Sequence, residues 1–172
     1  AGLIAWHWPR YELRTPARPA WTIAIGLIVL AIWISPQAWF NAKLRMEGFD
    51  PAVFGYEWQY WVNLLFRFLR LVIVVPLLEE VFWRGFLLRY VIREDFENVP
   101  FGTFTWASFA IVSVGFCLEH QFADYPAALI TGALYNLVAY TTRSLASCVL
   151  AHAVTNLGLG IYIMFTRQWG FW

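Results

Sequence analysis

Charge is what this chain has least of. Asp, Glu, Lys and Arg make up 13% of its 172 residues, against roughly 25% in soluble domains. That scarcity excludes a water-soluble surface over the whole chain. Net charge is +1, and no basic run offers a footprint for nucleic acid. The two cysteines, Cys117 and Cys148, lie in apolar stretches and read as small buried hydrophobes, not a disulfide. A glycine-rich phosphate loop and a His-Glu-x-x-His zinc signature are also missing. So is a signal-peptide pattern in residues 1–20. Ser147 and Cys148 lack the separate base and orienting group a nucleophile needs. There is no internal repeat.

What the chain has is apolar length. Hydrophobic residues make up 60% and aromatic residues 20%. At roughly 20 residues per crossing, this predicts an all-α, polytopic transmembrane helical bundle with about five or six membrane helices. Three parts are expected. Residues 1–20 form an interfacial N-terminal segment, with Trp8 and Tyr11 at headgroup level. Residues 21–58 hold a first membrane helix and a polar loop; residues 59–172 hold a core of further helices. The charge-free run 21–34 centres the first span, which needs to extend to about 19 and 38. Lys43, Arg45, Glu47, Asp50 and Glu57 make 41–57 a wet loop. The apolar stretch 60–90 is too long for one straight crossing. Pro76 lacks an amide hydrogen and is expected to kink or divide it into 59–75 and 76–93. Further spans over 103–119, 126–140 and 145–165 are joined by short turns, hence antiparallel. A start at Ala1 without methionine fits a piece of a longer protein.

Against this apolar background a few polar residues stand out, because acids inside a membrane are costly and need a reason. Glu79 and Glu80 follow the apolar run 71–78. Glu80 and Arg84 are i,i+4 and can pair, while Glu79 points about 100° away, on the face of Val75 and Trp83. Glu79 is then the candidate base. His120 ends an apolar helix, i,i+4 from Phe116, and can orient a water together with Glu79. Glu119, Gln121 and Asp124 read as turn residues, with Glu119 facing away from His120. His152 and Asn156, again i,i+4, can donate hydrogen bonds to a developing oxyanion. Their small neighbours Ala151, Ala153, Gly158 and Gly160 allow close helix approach. Tyr135 and Asn136 read as structural. At about 1.5 Å per residue, Glu79 lies roughly 21 Å before the turn at 94 and His120 roughly 27 Å after it, so the two depths can match. Two other readings stay open. One is a zinc-dependent membrane hydrolase using Glu79, His120 and His152. The other is a non-catalytic membrane scaffold or proton-coupled transporter.

The pattern resembles the CAAX-protease and bacteriocin-processing (Abi) family of intramembrane glutamic proteases. Glu79-Glu80-Val81-Phe82-Trp83-Arg84 matches its Glu-Glu-x-x-x-Arg motif. Phe116 to His120 matches Phe-x-x-x-His, and His152 to Asn156 matches His-x-x-x-Asn. The resemblance covers about residues 76–157. It implies a peptidase in which Glu79 and His120 activate water and His152 with Asn156 stabilises the oxyanion. Glu80 and Arg84 would support them, and residues 59–172 would be the protease core. It implies no cofactor and no resident metal. The implied partners are a peptide or membrane-associated protein substrate and the lipid bilayer, with association with a protein-sorting or processing system as in some relatives. The implied location is a prokaryotic cytoplasmic membrane.

Overall fold

The computed structural model describes Leu13 and residues 15–172; the expected interfacial block around Trp8 and Tyr11 lies outside the described residues. The charge-free run becomes α1, Pro19–Trp39. Pro19 opens it at the first helical position, where a missing N–H costs nothing. A polar loop with one short 3-10 turn, Pro51–Val53, leads to α2, Glu57–Tyr90. Three more helices follow: α3, Trp106–Leu118, α4, Tyr125–Thr142, and α5, Leu145–Thr166. Thr105 and Ser144 cap α3 and α5 by accepting from the amides of Ser108 and Ser147.

The expected division at Pro76 does not occur. α2 runs 34 residues without a break. Its stretch Arg70–Val74 is π-wound, and the Val75 amide donates to Arg70 O, five residues back. In an α register the Pro76 ring would press on the carbonyl four residues earlier. Widening the turn ahead of it relieves that clash. A second π-wound section, Val81–Leu87, follows. Between them the α-helical turns Val75–Glu80 carry both glutamates. At about 1.5 Å per residue α2 is about 50 Å long, well beyond a hydrocarbon core of about 30 Å. Its outer face exposes Trp58, Trp61, Leu65, Phe66, Ile73 and Phe82, a surface suited to lipid.

Of the five or six spans expected, three or four are shown. The architecture is an all-α bundle in which three helices, α1, α2 and α5, are long and apolar enough to cross a membrane, with α3 a shorter apolar fourth. The long stretch counted as two segments is one helix. α3 has 13 residues, about 20 Å by helical rise. α4 is long enough but gives inward positions to Thr131, Tyr135 and Asn136.

α1 packs chiefly on α5, and α3 on α4. The α1–α5 contact is backbone-close at Gly26, where an added Cβ would lie 2.6 Å from Ala151 O. Thr155 Oγ1 donates to Gly26 O there at 2.8 Å. Gly160 likewise makes room for the Phe68 ring, as the small residues of α5 led one to expect. Val29, Val112, Phe116, Tyr135, Val138 and Ala151 form the buried centre. Both cysteines are free and buried. The polar loop is pinned over one end of the bundle. Gly170 N donates to Arg45 O at 2.9 Å, Arg45 N to Gln168 Oε1 at 3.2 Å, and Arg45 pairs with Asp124 in the α3–α4 turn.

Candidate active site

A cavity of about 310 Å³ opens where α2, the end of α3, and α5 meet. Its wall includes Glu79 from α2, His120 after α3, and His152 and Asn156 from α5. Leu71, Val75 and Glu79, successive i,i+4 positions, form one wall as a stripe. The candidate site residues from the sequence therefore reach one space, except for two.

Those two are Glu80 and Arg84, which lie behind the cavity wall, both wholly buried. Arg84 Nη1 donates to Glu80 Oε1 at 3.0 Å. Its Nε donates to Asn136 Oδ1 at 3.1 Å and its Nη2 to Gly132 O at 3.1 Å. The guanidinium also lies over the Phe116 ring, 5.0 Å from its centroid. A buried charge pair needs its remaining donors and lone pairs met; each guanidinium nitrogen has a partner, while Glu80 Oε2 is buried with none among the described residues. Asn136 is fixed in turn by donating to Ser113 Oγ at 3.1 Å. Its place as the Arg84 anchor is a matter of three-dimensional packing.

The two histidines are held alike. His120 Nδ1 lies 2.8 Å from Phe116 O. A carbonyl only accepts, so Nδ1 carries a hydrogen, and in the neutral ring Nε2 keeps its lone pair. His152 Nδ1 lies 2.9 Å from Glu80 Oε1, the oxygen that also receives Arg84. With Nδ1–H given to Glu80, His152 can donate elsewhere only through Nε2, which requires a protonated ring. Its ring packs against Tyr135, 5.1 Å between centroids. Tyr135 is itself fixed by donating to Thr155 Oγ1 at 2.7 Å.

The Type II CAAX prenyl endopeptidase Rce1-like family model matches residues 61–158. That is more than half of the chain and takes in all three motifs. The chain belongs to this Rce1-like family. No curated protein and no solved structure matches it. As an Rce1-like protein it is an intramembrane glutamic peptidase and an integral membrane protein, and its substrate class is a membrane-associated protein or peptide. The buried Glu80–Arg84–His152 cluster beside the cavity is consistent with that activity.

Some site features were not apparent before. Glu119, expected to face away from His120, lines the same cavity. Its Oε2 accepts from Trp83 Nε1 at 3.1 Å, tying α2 to the turn that carries His120. Gly115 gives the indole its slot: an added Cβ would sit 3.0 Å from Trp83 Cζ3. Trp33 and Arg45 also reach the cavity, from outside the Rce1-like match. Trp33 stacks at a tilt on His120, 5.3 Å between centroids. A tryptophan at a helix face carries no local sign of such a role. Among the described residues no three His, Cys, Asp or Glu side chains gather as a metal-binding set. Glu79, His120 and His152, the set a zinc mechanism needs, line the cavity without forming one.

Proposed function

We propose that Glu79 is the general base and His120 its partner in holding the attacking water, and that His152 with Asn156 meets the oxyanion. The observation that carries this is the convergence of these four side chains from three helical regions on one cavity. Glu79 takes a proton from water as the oxygen bonds to the scissile carbonyl carbon. The negative charge on the carbonyl oxygen is met by the Asn156 amide and by His152 Nε2–H, the ring's charge facing the Glu80 carboxylate. Collapse of the tetrahedral intermediate breaks the C–N bond, and the proton passes through Glu79 to the leaving amine. No covalent enzyme intermediate forms. General acid–base assistance of this kind contributes about 10²–10⁴-fold.

The family's name points to a prenylated C-terminal peptide as substrate, entering laterally from the bilayer. Within this reading residues 59–172 are the protease core, residues 1–20 an interfacial segment, and residues 21–58 a first helix and loop that lend Trp33 and Arg45 to the cavity. With α3 and α4 also crossing, five helices span a prokaryotic cytoplasmic membrane, and a processing or sorting system supplies the substrate. The test is cleavage of a farnesylated peptide ending in Cys-a-a-X by detergent-purified protein, with terminal products read by mass spectrometry. Glu79-dependent release of the terminal tripeptide is expected. Turnover that persists in Glu79→Gln refutes the assignment, and chelator-sensitive turnover favours zinc.

A further inference from the structure

Asn156 does more at this site than face a substrate. Its Nδ2 donates to Leu71 O at 2.9 Å, across from α5 to α2. The register of α2 explains why that carbonyl needs a donor. Val75 N–H reaches back five residues to Arg70 O. The next residue in the same register would donate to Leu71 O, but it is Pro76 and has no hydrogen to give. Within a membrane an unpaired backbone carbonyl is expensive, and side chains of neighbouring helices commonly fill the gap a proline leaves. Asn156 supplies the missing hydrogen from outside the helix.

The consequence falls on Glu79. Leu71, Val75 and Glu79 stack on one cavity wall, and the π-wound stretch Arg70–Val74 sets the rotation of that stripe. We propose that Asn156 is a positioning residue: by capping the Leu71 carbonyl that Pro76 leaves open, it holds the π register that turns Glu79 into the cavity. Its other amide hydrogen stays available to the oxyanion. The role in turnover rests on the catalytic reading above; the cap itself does not.

The test is rescue by restoring the hydrogen. Asn156→Ala, Pro76→Ala and the double variant are compared for unfolding midpoint in detergent and for kcat and KM on the farnesylated peptide. Asn156→Ser serves as a milder background. Asn156→Ala is expected to lower the midpoint and reduce kcat at least about tenfold with little change in KM. Adding Pro76→Ala gives α2 its own donor and is expected to raise both midpoint and kcat, a non-additivity that signals direct coupling. A double variant no more stable and no faster than Asn156→Ala overturns the proposal and leaves Asn156 acting only at the reacting atoms. Recovery of the midpoint without kcat overturns the positioning role while keeping the cap. If wild type cleaves nothing, the protease reading has failed on its own and the midpoints still decide the cap.

Discussion

Glu79 and Glu80 are joined by one peptide bond, yet Glu80 is wholly buried behind the cavity while Glu79 lines it. Glu80 receives Arg84 and His152 on a single oxygen. Among the described residues none donates a hydrogen bond to the Glu79 carboxylate, which keeps an open side toward the cavity. The 100° between successive helical positions is enough to separate a carboxylate that holds the site together from one that can work in it. One carboxylate is enclosed and bound through Oε1 to Arg84 and His152; the other keeps a side open to the cavity.

Substitutions at four positions would break or sharpen this contrast. The largest effect is expected from Arg84→Ala, which strands the buried Glu80 carboxylate. Removing one partner of a buried pair costs about 3–5 kcal/mol, and denaturant unfolding in mixed micelles should show it as loss of a folded population. Arg84→Lys should recover little, because one ammonium cannot serve Glu80, Asn136 and Gly132 in the same planar array. Glu79→Gln comes next and should act on rate alone, lowering kcat about 10²–10⁴-fold with the unfolding midpoint held. Were Glu79→Gln to destabilise the fold as Arg84→Ala does, the division between the two glutamates would collapse.

Glu119→Ala should be milder. It removes the acceptor for Trp83, about 1 kcal/mol for a hydrogen bond of this kind, and loosens α2 against the His120 turn. Peptide turnover should fall a few-fold and recover in Glu119→Gln, which keeps an acceptor. Equal losses in both variants would mean the charge matters and not the tether. Tyr135→Phe should be smallest. Thr155 keeps its bond to Gly26 O, so a loss of about 1 kcal/mol in unfolding with unchanged kcat is expected. A large rate effect would move Tyr135 from support into the site.

Some of the site was legible because its signals are local. Glu80 and Arg84, Phe116 and His120, and His152 and Asn156 are each four residues apart, and helical geometry alone places each pair on one face. The first helix, Pro19–Trp39, followed from a run without charge. Pro76 misled for the converse reason. Its effect on a helix depends on the winding of the preceding turn and on a donor arriving from another helix, and neither is written near residue 76. Glu119 was misplaced because beyond the end of α3 the chain leaves helical geometry, so angular arguments from His120 no longer hold. Apolar length alone does not convert to a number of crossings: α2 is one long helix, and α4 carries polar groups because its inner face anchors Arg84 and the cavity wall.

The sequence by itself determined that this chain is an integral membrane protein of apolar helices, and that three i,i+4 pairs, Glu80 with Arg84, Phe116 with His120 and His152 with Asn156, each share a helix face. Each of those is set by composition or by contacts within a few residues. Tertiary structure decided which glutamate faces the cavity, which ring nitrogen of each histidine stays free, what holds Arg84, and why α2 runs through Pro76 unbroken. Those outcomes turn on hydrogen bonds between residues dozens of positions apart, Asn156 to Leu71 and His152 to Glu80 among them. Only the packed bundle brings such partners within bonding distance.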